Sequence, residues 1–85
     1  MSFPKIVRRA EVLDFLQISR SNLYQKIAKG LWPAPVPLGA RAVGWISGEN
    51  EKVLAAMISG QSQESIKLLV QDLMKQRKTL LKVAA

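Results

Sequence analysis

Three prolines at alternate positions, Pro33, Pro35 and Pro37, interrupt this chain near its middle. Each proline removes a backbone N–H donor and fixes φ at about −65°, and it pushes the residue before it toward extended conformations. Helix is therefore excluded over residues 31–38. Because a sheet tolerates proline mainly on an edge strand, we expect this segment to form the outer strand of a two-stranded hairpin, with residues 42–46 as its partner.

Helical patterns precede this extended segment. Residues 8–16 carry apolar side chains on one helical face, which predicts a short first helix. Ser19 is a good N-cap for a second helix, along which Leu23 and Ile27 repeat at the i, i+4 spacing. Gly30 suits the position just past a helix end. The second helix is therefore predicted over about residues 20–29.

Two more helices are predicted after the hairpin. Ser47 can cap a third helix that ends at Gly60, and a fourth helix can then run to about residue 82. Arg77 interrupts the apolar stripe of the fourth helix. We divide the chain after Gly60 into an N-terminal domain at 1–60 and a C-terminal helix at 61–85. The stripe residues predicted to mediate self-association are Ile66, Val70, Leu73 and Leu80.

The chain of 85 residues contains neither cysteine nor histidine. Disulfides, ordinary zinc sites, cysteine nucleophiles and histidine bases are thus excluded. We expect no catalytic residue, no metal and no cofactor, and hence no enzyme. A domain of this size buries a thin core, so a partner subunit is one way to stabilise it.

Positive charge is in excess, with 13 Lys and Arg against six Asp and Glu, giving a net charge of +7. Such an excess favours nucleic acid or an anionic surface as the partner. No apolar run approaches the roughly 18 residues that span a membrane, and the first residues lack the apolar stretch of a signal peptide. We expect a cytoplasmic, nucleoid-associated bacterial protein.

The first two helices, joined by a tight turn, match a helix-turn-helix arrangement. If Leu23 and Ile27 face the core, the opposite face of the second helix presents Asn22 and Gln25, which can pair with adenine, and Arg20, which can pair with guanine. A plain solvated helix could present the same polar side chains. The hairpin that follows favours DNA recognition, because a ribbon at this position forms a wing.

Arg41 lies in the predicted turn of the wing, where an arginine can enter a minor groove or contact phosphate. The alternative is an exposed charge that only aids solubility. Trp32 and Trp45 bracket the hairpin. They could stack on bases, but a two-stranded ribbon needs large apolar side chains to attach it to the helices, so we expect them in the core.

The sequence resembles the AlpA family of phage-type regulators, which belongs to the winged, excisionase-like branch of the MerR-type DNA-binding fold. The resemblance covers about residues 6–58 and rests on Ser-Arg-Ser-x-Leu-Tyr at 19–24, Pro-x-Pro within 33–37, Leu-Gly-x-Arg at 38–41, and Trp45. Gln17 departs from the family, which usually has glycine in that turn. The expected fold is mainly α: a small winged helix-turn-helix with a two-stranded wing and an extra C-terminal helix.

The resemblance implies a prophage or integrative-element protein that binds double-stranded DNA as a transcriptional regulator, as an excisionase (a recombination directionality factor), or as both. The second helix would enter the major groove and the wing the adjacent minor groove. The candidate major-groove residues are Arg20, Ser21, Asn22, Tyr24, Gln25, Lys26 and Lys29. The candidate wing and backbone contacts are Arg8, Arg9 and Arg41.

Three alternatives stay open. The fourth helix can pair with a second subunit, which we favour, or pack back on its own domain. The basic helices could bind an integrase or a polymerase subunit without reading bases, making the protein an adaptor. Finally, lysines of the fourth helix could meet an anionic membrane surface, although its polar face is less basic than such binding needs, so no membrane partner is expected.

Overall fold

The computed structural model describes the backbone of residues 4–84 and the side chains of residues 4–80. The elements, in chain order, are β1 (Ile6–Val7), α1 (Arg9–Leu16), α2 (Arg20–Ala28), β2 (Val36–Gly39), β3 (Ala42–Ile46), α3 (Ser47–Ile58) and α4 (Gln63–Ala84). This is the expected mainly α fold with a small antiparallel sheet and an additional C-terminal helix.

The sheet has three strands rather than the expected two, in the order β1-β3-β2. Ile6 pairs with Ile46, and Val7 pairs with Trp45, so β3 is the central strand. The outer strand expected over residues 31–38 begins only at Val36, as β2. It lies at an edge, as expected, because Pro37 has no N–H to donate to a second neighbouring strand. The added strand attaches the wing to the start of the chain.

Both glycine-terminated helices end as predicted. Gly30 has φ 75° and Gly60 has φ 80°, a left-handed conformation that glycine adopts without a steric penalty. The N–H of Gly30 donates to the carbonyl of Ile27, and the N–H of Leu31 to that of Lys26. Carbonyls left unpaired at the end of α2 are thereby satisfied.

The predicted Ser47 cap is wrong. Ser47 is the first residue of α3, and Ile46 occupies the N-cap position without a side-chain hydrogen bond. The N–H of Ser47 instead donates to the carbonyl of Lys5. Strand β3 therefore passes directly into α3 with no connecting loop.

One core joins all four helices and the sheet. Trp45 is fully buried, and its indole Nε1 donates to the carbonyl of Pro33 at 3.0 Å. Trp32 is equally buried, so both tryptophans occupy the core positions expected of them. The buried apolar side chains are Val12, Leu23, Trp32, Trp45, Val53, Ile66, Val70 and Leu73.

The apolar stripe of α4 is used within the chain. Ile66, Val70 and Leu73 are 3–7% exposed and belong to the common core. The prediction that these three residues mediate self-association is therefore corrected, because side chains buried inside one chain cannot also form an interface. Leu80 remains 38% exposed, and pairing through it remains a prediction.

Candidate nucleic-acid interface

Helix α2 is positioned by a three-residue turn after α1. Gln17 ends α1 in the left-handed region, at φ 55° and ψ 44°, and its N–H donates to the carbonyl of Leu13. Ser19 then caps α2 as predicted, because its Oγ accepts a hydrogen bond from the N–H of Asn22 at 3.2 Å. The turn thus ends one helix and starts the next within three residues.

Leu23 sets the orientation of α2, because it is fully buried in the core. Residues on the other side of the helix consequently face solvent. The exposed members of the predicted reading set are Arg20, Ser21, Asn22, Gln25 and Lys29, and the half-buried ones are Tyr24 and Lys26. The exposed face combines amide, hydroxyl and guanidinium groups, which are the groups that hydrogen-bond to base edges.

No acidic residue occurs between positions 20 and 29, whereas Arg20, Lys26 and Lys29 carry positive charge. Lys67 of α4 adds to this charge from outside the predicted set. A Cβ atom built on Gly30 would lie 3.9 Å from its Cγ, which places Lys67 beside the end of α2. The sequence did not indicate that Lys67 lies near α2, because it comes 37 positions after Gly30.

Two predicted backbone contacts, Arg8 and Arg9, have intramolecular partners. The Nε of Arg8 donates to the carbonyl of Val43 at 3.1 Å, which ties the start of α1 to the central strand. An Nη1 of Arg9 lies 3.4 Å from the hydroxyl of Tyr24 and donates to it, linking α1 to α2. Both arginines therefore lie next to α2 or the wing.

The wing tip is a two-residue loop, Ala40 and Arg41, closed by the pairing of Gly39 with Ala42. Arg41 is exposed there. Ala40 adopts φ 42°, an unfavourable conformation for a residue with a Cβ atom. The tip thus presents one cation on a narrow, tightly bent ribbon.

Arg77 supports the wing from α4. Its Nη2 donates to the carbonyl of Ala34 at 2.8 Å, in the extended segment that leads into β2. Sequence reasoning missed this role and treated Arg77 as an interruption of an apolar stripe. A charged residue within such a stripe is itself a signal, since it needs a partner when the stripe is buried.

Comparison with known proteins relates this interface to a family. A family model described as Prophage CP4-57 regulatory protein (AlpA) matches residues 5–55. The chain belongs to the AlpA family. The match includes β1, α1, α2, the wing and most of α3, and it does not reach α4.

A relative from a phage agrees with this placement in the AlpA family. Uncharacterized protein ORF88 of Enterobacteria phage P4 is 34% identical over 59 residues, which cover 69% of this chain and 67% of that protein. No solved structure matches the chain. The boundary at residue 60 remains a prediction, since the family match ends at residue 55 and the core continues into α4.

Nothing in the described residues forms a group of three or more acidic, cysteine or histidine side chains that could hold a metal ion. None of the helices described is both long enough and apolar enough to cross a membrane.

Proposed function

We propose that this AlpA-family protein is a non-catalytic, sequence-specific DNA-binding regulator of a prophage or integrative element. It acts on transcription, on excision as a recombination directionality factor, or on both. Membership in a family of phage regulatory proteins supports the regulatory role.

The exposed face of α2 carries this proposal. Buried Leu23 holds the helix so that Asn22 and Gln25 point away from the core, and the segment lacks any carboxylate that would repel phosphate. An α-helix fits the major groove of B-DNA, where amide side chains can form two hydrogen bonds to adenine. A surface that only bound protein would be richer in apolar and aromatic side chains.

The wing provides a second, sequence-independent contact. Arg41 at its tip can reach the adjacent minor groove or the phosphates, while Arg8 and Arg9 lie beside the two DNA-facing elements. Together with Arg20, Lys26 and Lys29 they make six cations available to the DNA backbone.

A salt titration of duplex binding tests the proposal. With six cations each contributing about −0.9 to the slope, log K against log salt should fall with a slope of about −5. Lys29→Ala should reduce the slope by about 1, whereas Lys52→Ala, on α3, should leave it unchanged. A nearly flat titration of the unmodified protein would disprove DNA binding.

A footprint on the DNA of the protein's own element then separates the two regulatory roles. Protection at the attachment site supports a role in excision. Protection upstream of an integrase gene supports transcriptional regulation. Binding that protects neither region, with no preference over random DNA, would contradict sequence-specific recognition.

A further inference from the structure

A cavity of about 230 Å³ lies between α1, β1 and α3, away from α2 and the wing tip. Val7, Phe15 and Leu54 form its apolar walls, Asn50 lines it from α3, and Glu11 and Glu51 are its acidic residues. No lysine or arginine is among its lining residues, although the chain as a whole is strongly basic.

Asn50 is the unusual member of this cavity. Asn50 is only 2% exposed. Neither its Nδ2 nor its Oδ1 has a hydrogen-bond partner among the described residues. Buried amide groups in native proteins normally have such partners, and leaving them unpaired costs free energy. Both amide atoms are closed off from solvent, so the side-chain signals of Asn50 can report on the cavity without the amide being a contact itself.

The size and walls of the cavity indicate what fits. Sites for small molecules usually have volumes of about 300–1,000 Å³, so this cavity is suited to a single side chain and its backbone. Phe15 is 40% exposed and contacts the cavity, which gives an incoming aliphatic side chain an apolar surface.

The charge of the cavity selects among possible partners. Glu11 and Glu51 repel phosphate and attract cations, so a nucleic-acid strand is disfavoured and a basic peptide is favoured. Because no residue of α2 lines the cavity, its occupation leaves the proposed DNA-reading face free.

We propose that this cavity binds a short extended segment of a partner protein, in which one aliphatic residue is flanked by Lys or Arg. The aliphatic side chain packs between Phe15 and Leu54, beside Asn50. The basic residues face Glu11 and Glu51. The protein thereby connects its DNA site to a second protein.

Titration with short peptides tests this proposal on the full chain labelled with ¹⁵N at asparagine. Asn22 and Asn50 are the two asparagines, so the Asn50 side-chain signals are assigned by their loss in Asn50→Leu. The probes are three capped pentapeptides with the central sequences Lys-Leu-Lys, Glu-Leu-Glu and Lys-Gly-Lys. The first should shift the Asn50 side-chain signals and leave those of Asn22 in place.

The two other peptides report on charge and shape. Glu-Leu-Glu should bind about tenfold more weakly, because two attractions become two repulsions, and Lys-Gly-Lys should lose the aliphatic contact and bind equally weakly. Glu51→Gln should weaken binding of Lys-Leu-Lys about threefold, whereas Glu64→Gln, an exposed residue of α4, should not change it.

Three outcomes would overturn the proposal. Asn50 signals that no peptide moves at millimolar concentration would mean that no peptide enters the cavity. Equal binding of all three peptides would mean that the cavity does not select them. Asn50 signals that shift with protein concentration and not with added peptide would mean that a second copy of the chain occupies the cavity. Glu51→Gln should retain full duplex binding, so a failure here is distinguishable from a failure of the proposed function.

Discussion

Arg77 of α4 and Glu49 of α3 form a forked ion pair. The Nη2 and Oε1 atoms lie 2.6 Å apart, and the Nε and Oε2 atoms lie 2.9 Å apart. The side chains are only 17% and 8% exposed. This pair fastens α4, which extends beyond the family match, to the start of α3 and, through Ala34, to the segment before the wing.

Arg77→Met should lower the free energy of unfolding by about 3 kcal/mol, because removing one member of a largely buried pair leaves the other charge unpaired. Adding Glu49→Leu should recover part of this loss. Lys78→Met, at the exposed neighbouring position, should change stability by about 0.5 kcal/mol at most. Urea unfolding measures all three. An Arg77→Met protein as stable as the unmodified chain would show that the pair is not needed.

Gly44 in the centre of the sheet should not tolerate alanine. A Cβ atom there would lie 2.5 Å from Cγ2 of Ile6 and 3.2 Å from the carbonyl oxygen of Val7. Overpacking of this kind costs about 1–3 kcal/mol, so the melting temperature of Gly44→Ala should fall. Gly48→Ala is the matched control, because its Cβ meets nothing within 4 Å and alanine favours the helix. Equal melting temperatures for the two variants would contradict the three-stranded arrangement.

Gln17→Gly should stabilise the protein by about 0.5–1 kcal/mol. Left-handed backbone costs a residue with a Cβ about 1–2 kcal/mol, and part of the gain is lost because glycine is freer in the unfolded chain. The comparison variant is Gln17→Ala, which keeps the strain and loses the hydrogen bond from Nε2 to the carbonyl of Asp14. Calorimetry should therefore rank glycine above glutamine and glutamine above alanine.

Gln25→Ala should reduce affinity for the specific site by about 1–3 kcal/mol and affinity for random DNA only slightly, since an amide can form two hydrogen bonds to one base. Asn22→Ala should behave in the same way. Lys29→Ala should weaken both affinities alike, because phosphate is present at every sequence. Competition binding with specific and random duplexes checks this. Equal losses for all three variants would place base reading on another surface.

Arg41→Ala should lower DNA affinity while leaving the melting temperature unchanged, because the side chain is exposed at the wing tip. Ala40→Gly is the control for the shape of the tip. It removes the strain at φ 42° and keeps the charge, so it should raise the melting temperature without weakening binding. Loss of stability in Arg41→Ala would show that the arginine has a structural role.

Local patterns in the sequence predicted much of this fold. The prolines of the 31–38 segment indicated an edge strand, Gly30 and Gly60 indicated helix ends, and Ser19 indicated the start of α2. Each of these signals acts on its own backbone, so it can be recognised without knowing the tertiary structure. The Ser47 cap failed because a tertiary hydrogen bond to Lys5 takes the N–H of Ser47 and strand β3 continues to Ile46.

Features that depend on distant residues were not predictable. Strand β1 contains two residues, which is too short for a periodic pattern, and it forms because β3 offers a free edge. The stripe of α4 has the same spacing whether it packs within a chain or between chains. Arg77 finds Glu49 at a separation of 28 residues. The helical period of α2 was enough to predict which of its residues are exposed. It could not predict the hydrogen bonds that Arg8 makes to Val43 and Arg9 makes to Tyr24.

The contribution of α4 to the core determines how much of the chain must be synthesised before the core can form. A nascent chain that has reached residue 60 contains α2 and the wing but lacks Ile66, Val70 and Leu73, which complete the apolar core around Trp32 and Trp45. Domains generally fold as units while translation proceeds from the N-terminus. We therefore expect that α2, the proposed DNA-reading helix, is held firmly in place only after residues 61–73 have left the ribosome.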